Sequence, residues 1–139
     1  LPQAISQSTS KKIRELLRAV ILETKYTGPR AKVAGYEVGG KTGTAELLEK
    51  GKYLKKANLS SFIGVFPISE PKYVVLVMIK NPQGIKETFN FTTGAWVAAP
   101  TVSRIIKRMI NILGIKSKDN NETFQADLDI HNIFKYETL

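Results

Sequence analysis

The chain has 139 residues, 42% apolar and 24% charged, with ten Gly and six Pro, which is enough for one domain around one core and unlike a multidomain or collagen-like composition. It holds no Cys and one His, excluding a disulfide framework, a thiolate zinc site, a cysteine nucleophile and an imidazole metal cluster. The formal charge is +9, and because five of the 12 acidic but only three of the 21 basic residues fall in 116–139, the first 115 residues carry +11 and the remainder −2.

Ile13, Leu16, Leu17, Val20 and Ile21 fall at i, i+3, i+4, i+7 and i+8, the apolar stripe of an amphipathic helix. With Ser8, Thr9 and Ser10 offering N-caps, the pattern predicts a helix at about 9–23. Tyr26, Thr27, Gly28 and Pro29 break it, Gly35 punctuates the chain again, and residues 36–46 read as extended because their glycines weaken a helix. Residues 59–66 are rich in β-branched and aromatic side chains and end at Pro67, giving a second strand. After the turn at 67–71, residues 73–80 form a third, whose unbroken apolar run 74–79 suits a strand covered on both faces. That run is six residues, against the roughly 20 of a membrane-spanning helix. Short connections favour antiparallel pairing.

Val102, Ile105, Ile106, Met109, Ile110 and Leu113 repeat the helical stripe, Pro100 is tolerable in a first turn, and Gly114 stands where a C-terminal cap belongs. A helix is expected at about 97–113, packed on the sheet together with the first helix in an α+β layer arrangement. Beyond Ile115 the sequence turns polar, and 116–139 is expected to be a loosely attached tail. The lone His131 lies in that tail with no partner spacing for a ligand or a base. The positive charges are divided among Lys11, Lys12, Arg14 and Arg18, then Lys50, Lys52, Lys55 and Lys56, then Arg104, Lys107 and Arg108. They read as solvated faces and not as a nucleic-acid stripe.

Two motifs compete for the same residues. Gly35 to Thr42 matches G-x-x-x-x-G-K-T letter for letter, the phosphate-cradling P-loop. A P-loop needs a buried strand running into its first glycine and an acid at the end of another strand to hold magnesium. Residues 30–34 are too short and too charged for the first, and the run 74–79 ends in Lys80 and Asn81. The other reading takes Lys41-Thr42-Gly43-Thr44 as a strand lining a cleft, with Lys41 and Gly43 on one face and Thr42 and Thr44 on the other. Ammonium and hydroxyl groups beside a bare strand edge suit an extended peptide ending in a carboxylate. A surface lysine with two strand threonines is the bland alternative.

The surrounding sequence adds Thr27-Gly28-Pro29-Arg30-Ala31, Val38-Gly39-Gly40 ahead of Lys41 and Ala45-Glu46 behind Thr44, residues 61–67 (SFIGVFP) and residues 93–100 (TGAWVAAP). Over residues 5–115 these blocks resemble, in order and spacing, the C-terminal part of the transpeptidase domain of class B penicillin-binding proteins, the membrane-anchored enzymes of septal peptidoglycan synthesis. The resemblance implies a five-stranded antiparallel sheet sandwiched by helices, of which residues 1–115 would supply three strands and two helices. It also implies acyl transfer through a serine in S-x-x-K with a neighbouring S-x-N. Ser8 and Ser69 each open an S-x-x-K match, one in the first predicted helix and one in a turn, and no S-x-N lies between Leu1 and Lys41. The nucleophilic serine is therefore expected upstream of Leu1, and the chain alone is expected to be inactive toward penicillin.

Carried over to this sequence, the resemblance implies that Lys41 supports the charge network of the cleft. Thr42 and Thr44 would hold the carboxylate of an acyl donor or β-lactam, Gly43 would keep the strand bare, and the Thr44 backbone N–H would be one oxyanion donor. It implies no cofactor and no metal, peptidoglycan stem peptides and β-lactams as ligands of the intact parent, partner proteins in the division machinery, and a periplasmic catalytic domain anchored in the inner membrane. Three strands without neighbours leave an edge that a second copy would cover. Two further classes stay open: a non-enzymatic basic module for an anionic polymer, separable by salt titration, and the P-loop binder, separable by magnesium-dependent ATP retention. Trp96, Phe89 and Phe91 either floor a groove or seal a helix end, and packing is the favoured role.

Overall fold

The computed structural model of the protein describes residues 3–117. Helix α1, Gln7–Glu23, begins two residues earlier than the stripe predicts. Its N-cap is Ser6, whose hydroxyl accepts from the Thr9 amide at 3.1 Å, and not a member of the 8–10 cluster. A short helix α2, Thr27–Ala31, forms where the sequence reads as a break. Gly28 makes it possible: its amide donates to the Thr24 hydroxyl at 3.0 Å, and a Cβ there would stand closer than 3.0 Å to the Ile21 carbonyl oxygen.

Three strands follow, β1 (Gly39–Glu49), β2 (Lys52–Phe66) and β3 (Tyr73–Lys80), antiparallel in the order β1-β2-β3. The extended segment expected from residue 36 starts as a strand only at Gly39. Tyr36 instead makes an isolated bridge to Val33 around Gly35, which has φ +78°. β2 begins seven residues before the expected 59, because Lys50 and Gly51, both at positive φ (48° and 76°), close a two-residue hairpin between Glu49 and Lys52. A bulge between Glu46 and Leu48 shifts the register near its tip.

Helix α3, Ala98–Leu113, ends on Gly114 at φ 62°, whose amide returns to the Ile110 carbonyl, as the sequence predicts. The two long helices take opposite faces of the sheet. A Cβ on Gly39 would meet Leu17 of α1, one on Gly40 would meet Phe62, and one on Gly64 would meet Val102 and Ile106 of α3. Phe62, Phe66, Val102, Ile106 and Ile110 form the centre of the core. The third strand departs from expectation: Tyr73, Val75, Val77 and Ile79 are half-buried, while Val74, Leu76 and Met78 are 64%, 56% and 56% exposed. Among the described residues only one face of β3 is covered, since α3 packs on β2 and β3 whereas α1 packs on β1. No described helix is long and apolar enough to cross a membrane. The expected loose tail, from residue 118 on, and His131 lie outside the described residues.

Candidate functional site

Lys41, Thr42, Gly43 and Thr44 lie in succession on β1, paired with Ile63, Phe62, Ser61 and Ser60 of β2. β1 is an edge strand among the described residues. The P-loop reading ends here, because the chain after Lys41 continues as strand and not as the helix that a phosphate loop must enter.

Lys41 is exposed, and its Nζ donates to the Thr42 carbonyl at 3.0 Å and to Thr42 Oγ1 at 3.3 Å. The lysine also borders an apolar groove of about 630 Å³ along α1, lined by Ile13, Leu16, Leu17, Val20 and Thr24. Gly43 leaves room for the Ser61 side chain, since a Cβ there would stand 2.6 Å from Ser61 Oγ, which reaches the Gly43 carbonyl at 3.4 Å.

The Thr44 hydroxyl accepts from the Gly94 amide at 3.2 Å. Its donor brings in the loop between β3 and α3, which sequence reasoning left as a packing question. Thr92 anchors that loop: its hydroxyl receives the Asn58 side-chain amide at 3.0 Å, and its carbonyl receives the buried Ser60 hydroxyl. Phe91 stacks on Trp96 with centroids 5.2 Å apart, Phe89 meets the same ring edge-on at 5.6 Å, and the Arg30 guanidinium lies 3.5 Å from its centroid. Arg30 and Trp96 are 66 positions apart, so no local pattern joins them.

The two S-x-x-K serines have other duties. Ser8 is exposed in the first turn of α1, 2.9 Å from the Ser6 hydroxyl. Ser69 sits in the turn after β2 and donates to Glu37 Oε2 at 2.5 Å, while its carbonyl accepts from Arg14 at 3.1 Å. Beside it Arg18 donates to the Val38 carbonyl at 2.8 Å. Burial pulls the Arg18 guanidinium below its ordinary value and nearby Glu37 opposes the shift.

Residues 2–107 match the family model of the penicillin binding protein transpeptidase domain. The chain belongs to that family. Its relatives include the stage V sporulation protein D of Bacillus subtilis, 46% identical over 118 residues covering 85% of this chain and 17% of that protein. A probable peptidoglycan D,D-transpeptidase FtsI of Caulobacter vibrioides is 37% identical over 123 residues, 84% of this chain and 21% of the relative. Among solved structures, the transpeptidase domain of Burkholderia pseudomallei penicillin-binding protein 3 superposes with a TM-score of 0.69 at 31% identity, over 84% of this chain and 34% of that one. Penicillin-binding protein 3 of Mycobacterium tuberculosis in complex with ampicillin gives 0.69 at 28% identity, with 84% and 26% covered. The penicillin-binding protein fold expected from the motif blocks is therefore correct, and the chain spans about a fifth of the curated relatives it matches.

Proposed function

We propose that this chain is the carboxylate-binding part of a peptidoglycan D,D-transpeptidase of the septal type. The observation that carries the reading is the placement of Lys41-Thr42-Gly43-Thr44 on an edge strand beside the open groove of α1. An edge strand has backbone groups to spare for an extended acyl donor. Lys41 and Thr42 put an ammonium and a hydroxyl 3.3 Å apart, a charge-assisted pair suited to a terminal carboxylate. The Gly94 N–H occupies a lone pair of the Thr44 hydroxyl, which leaves the hydroxyl proton for the ligand.

In the acylation step the oxygen of a serine supplied by the rest of the domain bonds to the donor carbonyl carbon; collapse of the tetrahedral intermediate breaks the donor's amide C–N bond, and the amine leaves with the proton the serine gave up. The Thr44 backbone N–H then faces the oxygen on which negative charge develops. One such donor is worth about 2.7–4 kcal/mol in the transition state. Stem peptides are the acyl donors and β-lactams the mimics that trap the serine. A membrane anchor with a periplasmic catalytic domain, division proteins as partners, and pairing of exposed strand edges between copies belong to the same reading.

The test is labelled penicillin applied to the full-length protein and to residues 1–139 alone. A hydroxylamine-sensitive adduct is expected on the former and none on the latter. In the full-length protein Lys41→Ala should lower acylation by about 10²-fold or more. Unchanged acylation would return Lys41 to the role of a solvated strand residue.

A further inference from the structure

The loop before α3 holds a set of contacts that the proposed reaction does not use directly. Trp96 N–H donates to the Thr93 carbonyl at 2.9 Å, and the amides of Ala98 and Ala99 both return to the Gly94 carbonyl, at 3.1 and 2.9 Å. Residues 93–99 are thus one hydrogen-bonded turn leading into α3, and a turn bonded in this way moves as a unit. Its upstream end is the Gly94 amide on Thr44, and its downstream end is the Trp96 ring under Arg30.

Arg30 is itself fixed. Its guanidinium donates to the Tyr26 carbonyl at 2.6 Å, so the planar group is held on the Trp96 ring by a second attachment. Such a stack is attractive through the ring quadrupole, and more so where water is excluded. Phe91 and Phe89 pack against the same ring, and Phe89 and Asn90 stand at φ 50° and 60°, a conformation that non-glycine residues adopt at a cost.

We infer that Arg30 is a positioning residue for acylation: by stacking on Trp96 it seats the Gly94 turn on β1 and so directs the Thr44 hydroxyl proton outward, toward the ligand carboxylate. Without the stack the turn can lift, the Thr44 hydroxyl regains a free lone pair and rotates, and the strand at 43–44 loses the partner that holds it. The inference rests on the transpeptidase reading for its consequence in catalysis, but its structural half does not.

The test uses the full-length protein carrying Arg30→Gln and Arg30→Lys, with two readouts. Amide hydrogen exchange at Gly94 is expected to quicken about fivefold in both variants, since Lys keeps the charge but not the planar stack, while amides of β2 keep their protection. Labelled-penicillin acylation should fall about tenfold in both, and Arg30→Gln should add no further loss to Thr44→Val. Unchanged Gly94 exchange would overturn the inference whatever the acylation shows. Faster exchange with normal acylation, independent losses in the double variant, or full recovery by Arg30→Lys would also overturn it, the last by showing that Arg30 acts through charge. A wild-type protein that penicillin does not acylate would sink the transpeptidase reading, and the exchange experiment would still decide whether Arg30 seats the turn.

Discussion

Gly94 lies so close over Ser61 that a Cβ on it would stand less than 3.0 Å from the Ser61 carbonyl oxygen, and less than 3.0 Å from that of Gly43 in the neighbouring strand. Both obstacles are backbone atoms of a paired ladder and cannot rotate away. Gly94→Ala should therefore force the loop off β1, break the Gly94–Thr44 bond and destabilise the protein by about 2–3 kcal/mol. A lower denaturation midpoint at unchanged slope is the expected result, and an unshifted midpoint would show that the loop has slack.

The polar cluster between α1 and the turn after β2 gives a second expectation. Arg18 is half-buried, bonded to the Val38 carbonyl and drawn toward Glu37, which opposes the cost of its burial. Glu37 also receives the Ser69 hydroxyl. Glu37→Gln keeps the shape but removes the charge facing Arg18, so the guanidinium keeps its bond to the Val38 carbonyl but loses the negative charge that offsets its burial. Allowing for solvent screening of a half-exposed group, the loss should be about 1 kcal/mol. It should shrink as salt is raised, and a salt-independent loss would point to the Ser69 bond instead.

Lys50 and Gly51 make the hairpin turn with both residues at positive φ. Only glycine adopts that conformation without strain, and asparagine comes next. Gly51→Ala is expected to cost about 1 kcal/mol despite open space around the site, and Lys50→Asn to stabilise by about 0.5 kcal/mol. Equal thermal midpoints for the two variants would mean that the hairpin tip is not coupled to global unfolding.

What the sequence disclosed and what it hid follow from the range of the forces involved. Helices α1 and α3 were legible because each carries its own period, Ile13, Leu16, Leu17 and Val20 on one and Val102, Ile106 and Ile110 on the other; β3 was legible as a strand from its unbroken apolar run, which hid that one of its faces is exposed. The strand that carries Lys41–Thr44 was legible from its glycines as extended chain, and only its start, Gly39 and not residue 36, had to come from the fold. Helix α2 was hidden because Gly28 and Pro29 locally argue for a turn, and only contact with the Ile21 carbonyl and the Thr24 hydroxyl reverses that preference. The first half of β2 was hidden because its Lys-rich start alternates poorly and its turn residue is Lys50 and not Asn. The Arg30–Trp96 stack joins residues that only the fold brings together.

The exposed face of β3 yields the last prediction. In register, Lys41, Ile63 and Leu76 form a row across the three strands, and Val74 and Met78 flank it on the same face. The opposite side chains of β3 pack on α3, so the strand carries more apolar surface than the described residues cover. The relatives are roughly five times longer than the region matched, and a face of this kind is normally buried by another layer of the same domain. In the full-length protein Leu76→Lys should then place a charge in an apolar layer and cost about 2–3 kcal/mol. Tyr53→Lys, at a somewhat more exposed position near the hairpin tip, should stay within about 0.5 kcal/mol of the parent. Thermal unfolding of the two variants side by side reads the difference, and a neutral Leu76→Lys would show that this face of the sheet meets water in the complete molecule as well.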